Sequence, residues 1–550
     1  MPFLGWDSVI SSYGAVVVAL IIILCTLLYI NHMSHFQYWK KRGIPEISRK
    51  ASPIVGHTGP VVLGKISFND LFLKLYEESE GKKFAGYYQG TRPFLLVNDP
   101  EMIRSILVRD FPVFVNRGFE IDEAIDPLNG RALTNLKDQR WKDMRSRLSP
   151  TFTSGRMKAM FPMMKSCADI MVEHIAQEIQ NNSGCGTIEV KELFSCFTTD
   201  VIASCAFGVQ SDSLRNPETS EFRKMGKEVF RPTIKRTIAV MLFFAAPKLT
   251  GRFGIKFNST ETEFFFRNFV ENVVKAREDI LEKGGDINKF GDFIQILVLL
   301  KKYGIHAIKE KDDSFLSEIE SQHYSAPEKV SWSDMTLDDL TAQVLIFFTA
   351  GFETTAALLT YALYELTCSE NGIEVQTTLR EKILSAIKEN GGIINYDLIQ
   401  RIPLLDHVLS ETLRLHPATG ALTRVCSEQY TLPGTDITLE KGTAIAISVN
   451  GLQLDSRYFE NPTKFDPSRF SPEKKGDRSN YVYLPFGEGP RMCVGQRFSQ
   501  MQARLGLAVL MSKFKFELST EKTQLPLRVN PRGFSTTPVG GIWIKFTEIS

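Results

Sequence analysis

The sequence lacks the features that define several common classes of protein. Its eight cysteines are widely scattered and form no CxxC pair, which excludes a disulfide scaffold and a zinc module. Positive and negative charges nearly balance, with 65 Lys and Arg and 63 Asp and Glu. We therefore predict no nucleic-acid partner. Disorder is excluded as well, because 43% of the 550 residues are hydrophobic, enough for a large core.

One stretch near the N-terminus contains no charge at all. Residues 9–30 would form a helix of about 33 Å, long enough to cross a hydrocarbon core of about 30 Å. A cleaved signal peptide would carry basic residues before its apolar part, whereas Asp7 precedes this run and Lys40, Lys41 and Arg42 follow it. We therefore predict a retained single-pass anchor with a cytosolic body, and a buried core helix is the less favoured alternative.

The remainder reads as one continuous body that is mainly α with minor β. An apolar pattern around a turn at Gly90 predicts paired strands within residues 84–97, and helical periodicity covers residues 157–180 and 260–283. Short strands are predicted at 430–432, 443–448 and 541–546, and residues 301–334 read as an inserted surface loop. The predicted division is an anchor at 1–35, a basic linker at 36–60 and a single large domain at 61–550.

The segment FGEGPRMCVG at residues 486–495 directly precedes a helical pattern. Glycines here allow a tight turn that approaches a flat ligand closely. Cys493 lies just before a helix start, where free N–H groups stabilise a sulfur anion. Arg491 offers a fixed cation for a carboxylate on the same ligand. These features favour a metal-ligating cysteine over a nucleophile or an inert core thiol.

The string F-x-x-G-x-R-x-C-x-G, from Phe486 to Gly495, resembles the haem-binding loop of the cytochrome P450 family. The resemblance implies the cytochrome P450 fold and haem b as cofactor. It makes Cys493 the axial thiolate ligand of the iron, and Phe486, Arg491 and Gly495 part of the haem site. A thiolate at this position donates electron density to the iron and favours O–O cleavage.

Glu411-Thr-Leu-Arg414 lies in an apolar helical segment that ends at a proline. An i,i+3 pair of this kind is usually a solvated salt bridge. In the family the pair is completed by an arginine of an F-x-P-E-R-F stretch, which Arg469 matches, although Ser468 replaces the usual glutamate. The resemblance implies that Glu411, Arg414 and Arg469 form a structural triad behind the haem loop.

Residues 350–355, AGFETT, fall inside a long helical run that opens with a capping box at Thr336. A mid-helix glycine such as Gly351 is either a tolerated core residue or the opening of an oxygen pocket. The string resembles the oxygen-activation motif of the family. It implies two catalytic residues, with Thr354 hydrogen-bonding dioxygen or its water and Glu353 relaying protons from solvent.

Trp141 and Arg145 are four residues apart on one predicted helix face. The spacing alone is a weak indication of function. In the family both residues bind a haem propionate, and Arg424 resembles a further propionate ligand. With Arg491 the resemblance therefore implies three cations for two carboxylates. One departure from the family pattern is Ser499, where alanine is frequent.

The resemblance implies a monooxygenase that inserts one oxygen atom of O2 into a lipophilic small molecule: a xenobiotic, a steroid or a fatty acid. NADPH-cytochrome P450 reductase is the implied electron donor, cytochrome b5 a further candidate, and the endoplasmic reticulum membrane the location. Residues 137–158 carry seven basic and two acidic side chains, which predicts a docking face for an acidic partner. The alternatives are a haem-thiolate isomerase or dehydratase, and a membrane haem sensor or carrier.

Overall fold

The computed structural model describes residues 19, 23, 26, 33–118, 121–182, 185–245, 247–284, 292–303, 335–533 and 536–549. Most of the predicted anchor at residues 9–30 and residues 304–334 of the predicted insertion lie outside these ranges. The helices are α1 (Tyr38–Lys41), α2 (Gly59–Val62), α3 (Phe68–Glu78), α4 (Pro100–Arg104), α5 (Pro127–Gly130), α6 (Asp138–Leu148), α7 (Ser154–Asn181), α8 (Val190–Ile202), α9 (Glu221–Phe230), α10 (Ile234–Ala245), α11 (Pro247–Arg252), α12 (Thr260–Glu282), α13 (Phe293–Tyr303), α14 (Leu337–Cys368), α15 (Gly372–Glu389), α16 (Tyr396–Gln400), α17 (Pro403–Leu415), α18 (Val449–Gln453), α19 (Pro472–Lys475) and α20 (Gln496–Lys513).

Three small sheets accompany the helices. The strands are β1 (Phe84–Gln89), β2 (Arg92–Val97), β3 (Gly186–Glu189), β4 (Ala421–Val425), β5 (Tyr430–Thr431), β6 (Thr438–Leu439), β7 (Ala444–Ser448), β8 (Phe514–Leu518) and β9 (Trp543–Glu548). The sheet orders are β1-β2-β7-β4, β3-β9-β8 and β5-β6. β1 and β2 pair antiparallel, with Gln89 opposite Arg92, so the predicted hairpin around Gly90 is confirmed. The prediction of a mainly α fold with minor β is confirmed as well.

α14 is the central helix of the fold. Its Thr336 side chain accepts from the Asp339 N–H and the Asp339 carboxylate accepts from the Thr336 N–H, which confirms the predicted capping box. Within the described ranges α14 alone is long and apolar enough to cross a membrane, but 67% of its most apolar window is buried inside the protein. α14 is apolar on almost every side because it packs against α8, α12 and α20 in the core.

The segment predicted as a basic linker packs against the first sheet. Trp39 is fully buried, and its indole N–H donates to the Tyr87 carbonyl at 3.1 Å. Gly86 makes this packing possible, because a Cβ there would lie 2.3 Å from the Trp39 ring. Arg42 reaches Glu440 at 2.6 Å from the same segment. Residues 36–60 were predicted to be a linker between the membrane and the body. In the structure they pack against the body.

His57 joins this segment to β1 through both ring nitrogens. The Tyr88 N–H donates to Nδ1 at 2.9 Å, so Nε2 carries the proton and donates to the Arg49 carbonyl at 2.9 Å. Burial lowers the pKa of His57 to about 4, and a proton on Nδ1 would also face the Tyr88 N–H. The neutral imidazole is therefore the form that fits the fold.

We expect His57 to make the fold sensitive to acid. Above about pH 6.5 the ring is neutral in both the folded and unfolded chains, and between pH 6.5 and 4 only the unfolded chain binds the proton. The free energy of unfolding should therefore fall by about 3 kcal/mol as the pH drops through this range. Urea unfolding at several pH values would measure the slope. His57→Gln should reduce it, and an unchanged slope would contradict the assignment.

Candidate functional site

The loop that carries Cys493 is a closed backbone turn in front of α20. The Cys493 N–H donates to the Phe486 carbonyl at 2.8 Å, and the Met492 N–H donates to the Gly489 carbonyl at 2.9 Å. Gly487 and Gly489 both have positive φ, at +74° and +72°. Only glycine adopts this conformation without strain, so these residues decide the shape of the turn.

The two glycines differ in what surrounds them. A Cβ at Gly489 would lie 2.0 Å from the Leu107 carbonyl oxygen, whereas a Cβ at Gly487 would find its nearest neighbour, Leu422, at 3.6 Å. Gly489 is thus required because the backbone at Leu107 passes too close to leave room for a side chain. The sequence interpretation had assigned it to a close approach of the ligand.

This difference predicts unequal effects of two alanine substitutions. Gly487→Ala should destabilise the fold by about 1–2 kcal/mol, because it introduces only the strain of positive φ. Gly489→Ala adds an overlap with backbone and should cost about 3 kcal/mol or more. Urea unfolding and the amount of bound haem after purification would measure both effects. Equal effects of the two substitutions would contradict this account.

Cys493 lies three residues before the start of α20. Its side chain is accessible to solvent, yet burial among protein atoms raises the pKa of its thiol. Three features oppose that rise: the Gly495 N–H, which donates to the sulfur, and the charges of Arg145 and Arg117. The sulfur therefore has an N–H donor and two cations directed at its anionic form, as a thiolate ligand requires.

Arg117 and Arg145 act electrostatically on this sulfur, and Arg424 is coupled to Arg117; Arg145 and Arg424 are buried and Arg117 is half-buried. Burial, together with the like charge of Arg117, lowers the pKa of Arg424 to about 9. Burial and the charge of Arg145 lower the pKa of Arg117, while the charge of Cys493 opposes that shift. The Arg424 Nε finds no hydrogen-bond partner among the described residues. Cations that act on one another in this way would suit a ligand with carboxylate groups.

Arg117 was missed by the sequence interpretation. It follows Asn116 in a short loop segment without a recognisable motif, and only the fold brings it next to Arg424 and Arg145. Its guanidinium also donates to the Arg491 carbonyl at 3.5 Å. A lone arginine of this kind carries no pattern by which the sequence could have indicated it.

Arg491 is held largely by backbone groups. Its guanidinium donates to the carbonyls of Val115 at 2.9 Å, Leu136 at 2.7 Å and Leu133 at 3.5 Å. It also lies over the Trp141 ring, 4.1 Å from the centroid. These contacts tie the cysteine loop to the chain before α6. The predicted roles of Arg491 and Trp141 toward a propionate stay predictions.

The Thr354 side chain lies on the one accessible face at the middle of α14. Ala350 and Thr354 are exposed there, whereas Phe352 and Thr355 are buried. The Thr354 hydroxyl donates to the Ala350 carbonyl at 2.6 Å. Gly351 faces elsewhere, since a Cβ would lie 2.7 Å from the Ile202 side chain of α8. The missing side chain at Gly351 therefore serves helix packing, and Thr354 is the residue that faces open space.

Glu353 points away from that face. Its carboxylate forms a buried ion pair with Lys191 of α8, with Nζ and Oε2 2.7 Å apart, and both side chains are at most 10% exposed. The Thr537 hydroxyl donates to the other carboxylate oxygen at 3.4 Å. Successive residues on a helix point about 100° apart, which is why Thr354 and Glu353 face different surroundings. Lys191 is a second residue that sequence reasoning did not find.

The structure brings Glu411, Arg414 and Arg469 together. Glu411 and Arg414 are fully buried and form a two-pronged ion pair, with N–O distances of 2.7 and 2.8 Å. Arg469 approaches Glu411 at 3.3 Å. Burial raises the pKa of Glu411, while the two arginines favour its charged form. Ser468, the departure from the family pattern, donates to Asp466 and leaves the triad undisturbed.

The class of protein follows from this geometry. The described residues contain no group of three or more metal-ligating side chains. An exposed cysteine in a glycine turn, arginines near its sulfur and a helix with an accessible threonine would suit a protein that holds a carboxylated metal macrocycle.

Comparison with known proteins identifies the family. The family model described as Cytochrome P450 matches residues 50–544. Cytochrome P450 6k1 of Blattella germanica is 36% identical over 533 residues, which cover 96% of this chain and 97% of that protein. Cytochrome P450 6a2 of Drosophila melanogaster is 34% identical over 537 residues, covering 97% and 100%.

The chain belongs to the cytochrome P450 family. It is a haem-thiolate monooxygenase, an oxidoreductase with haem b as its cofactor. Proteins of this family receive electrons from a redox partner and act on lipophilic substrates. The resemblance inferred from the sequence motifs is thereby confirmed.

Proposed function

We propose that Cys493 is the axial thiolate of the haem and that Arg117, Arg145 and Arg424 bind its two propionates. The observation that carries this proposal is the unpartnered, buried Nε of Arg424 within a cationic group beside the Cys493 sulfur. When bound, the haem activates O2 so that one oxygen atom enters the substrate and the other leaves as water. Gly495 stabilises the thiolate through its N–H.

On the other side of the site, the residues of α14 would handle protons. The Thr354 hydroxyl now donates to the Ala350 carbonyl, and a small rotation would let it donate into the accessible space. Glu353 would supply protons only after leaving Lys191, because its carboxylate is held on the far side of the helix. Thr354 would therefore contact dioxygen or its water directly, and Glu353 would deliver the protons.

The proposed electron donor is NADPH-cytochrome P450 reductase, with cytochrome b5 as a second donor. Arg145 and Arg147 are buried, so the docking face is smaller than the charge of residues 137–158 suggests. Lys142 stays exposed, and Arg497 on the first turn of α20 adds to it. An acidic partner on this face would lie close to the cysteine loop, where an electron must arrive.

We place the protein at the endoplasmic reticulum membrane, with the body on the cytosolic side and residues 9–30 as a single-pass anchor. The substrate we propose is a neutral, lipophilic molecule, either a xenobiotic or an endogenous lipid or steroid. The apolar character of residues 9–30 and the basic residues that follow them support this arrangement.

Reconstitution with the reductase, NADPH and isotopically labelled O2 would test the proposal. We expect lipophilic substrates to gain one labelled oxygen atom, and omission of the reductase to stop the reaction. Product without label from the gas would favour a haem-thiolate isomerase or dehydratase. Ligand binding without consumption of NADPH would favour a sensor or carrier.

A further inference from the structure

Ser499 and Thr355 form a direct hydrogen bond between two helices of the site. Their hydroxyl oxygens are 2.9 Å apart, Ser499 on the first turn of α20 and Thr355 on α14. Thr355 is 1% exposed.

Two further hydrogen bonds connect the Ser499–Thr355 pair to the Cys493 sulfur. The Ser499 N–H donates to the Gly495 carbonyl at 2.9 Å, and the N–H of Gly495 donates to the Cys493 sulfur. On the other side, Thr355 directly follows Thr354 on α14. One short chain of contacts thus joins the turn that supports the sulfur to the helix that carries the accessible threonine.

We propose that Ser499 and Thr355 are positioning residues, which hold the first turn of α20 against α14 and so fix the Gly495 N–H toward the Cys493 sulfur. The proposal rests on the proposed function, because it takes Cys493 as the axial ligand. A fixed N–H donor withdraws charge from a ligating sulfur, and hydrogen bonds of this kind raise the reduction potential of a thiolate-bound metal. The hydroxyl pair would therefore adjust the electronic character of the ligand without touching it.

Three variants test the proposal: Ser499→Ala, Thr355→Val and the double variant. Each single substitution should lower the reduction potential of the haem, because the N–H donor is held less firmly. The double variant should show no further change, because either single substitution already breaks the same hydrogen bond. The equilibrium constant of unfolding should change about fivefold in each single variant, as expected for one hydrogen bond.

The chain offers matched controls on both helices. Thr360 donates within α14 to the Ala356 carbonyl at 2.7 Å, and Ser512 donates within α20 to the Val509 carbonyl at 2.8 Å. Thr360→Val and Ser512→Ala remove similar hydroxyls and should leave the potential unchanged. Thr355→Ser keeps the hydroxyl and should retain the wild-type potential even if the valine variant folds poorly.

The absorption of the reduced CO complex separates the possible failures. A wild-type protein without the red-shifted absorption typical of a thiolate ligand would overturn the proposed function. A wild-type protein with that absorption, but with equal potentials in all variants, would overturn the role of Ser499 and Thr355 alone. Shifts that add in the double variant would also overturn it, because the two residues would then act independently.

Discussion

Replacing Cys493 by serine is expected to abolish the red-shifted absorption of the reduced CO complex and to reduce product formation to the level of haem-free protein. The N–H donor and the charges of Arg145 and Arg117 favour an anionic sulfur at this position. A serine hydroxyl does not ionise under the same conditions, and it donates far less electron density to iron. Absorption spectra and turnover of the reconstituted system would measure both losses.

The other cysteines provide the control for this experiment. Cys368 is exposed at the end of α14, far along the helix from Thr354, and Cys368→Ser should leave spectrum and turnover unchanged. Cys205 is fully buried, and burial raises the pKa of its thiol, as expected for an inert core residue. Survival of the thiolate absorption in Cys493→Ser would show that another residue binds the iron.

Removing the carboxylate of Glu411 is expected to destabilise the fold by about 3–5 kcal/mol, because a buried cation loses its partner. Arg414 has no access to solvent, and Glu411 is its only acidic contact among the described residues. Its other bonds go to the carbonyls of Gln453, Pro462 and Lys464. Urea unfolding of Glu411→Ala would measure the loss, together with the amount of haem retained.

An exposed ion pair serves as the matched comparison. Lys165 and Asp169 are one turn apart on the surface of α7, and Asp169→Asn should cost less than about 1 kcal/mol. A loss as small as this in Glu411→Ala would contradict the structural role of the triad. It would mean that Arg414 is satisfied by the backbone carbonyls alone.

Features that depend on neighbouring residues could be predicted from the sequence. Glu411 and Arg414 lie one turn apart, and Thr336 caps α14 three residues before Asp339, because helix geometry alone sets these spacings. The glycines of the cysteine loop follow the same logic, since positive φ is a local demand. Such features carry a pattern that a single sequence displays.

Contacts between distant elements could not be predicted in this way. Lys191 meets Glu353 across 162 positions of the chain, and the position of Arg117 beside Arg424 depends on the fold. The neighbours Glu353 and Thr354 looked like one functional unit, yet the helix points them in different directions. Packing decides these arrangements, and a pattern along the chain carries no information about it.

The first sheet has a consequence for the synthesis of this protein. β2 completes its pairing only with β7, in the parallel register that sets Phe94 opposite Ala444. These strands are separated by about 350 residues, which a ribosome needs roughly 20–70 s to translate at 5–20 residues per second. Throughout that interval the apolar edge of β2 has no partner strand. The hairpin partner β1 covers only the opposite edge of β2, so we expect chaperones to shield this edge until β7, in the last fifth of the chain, emerges.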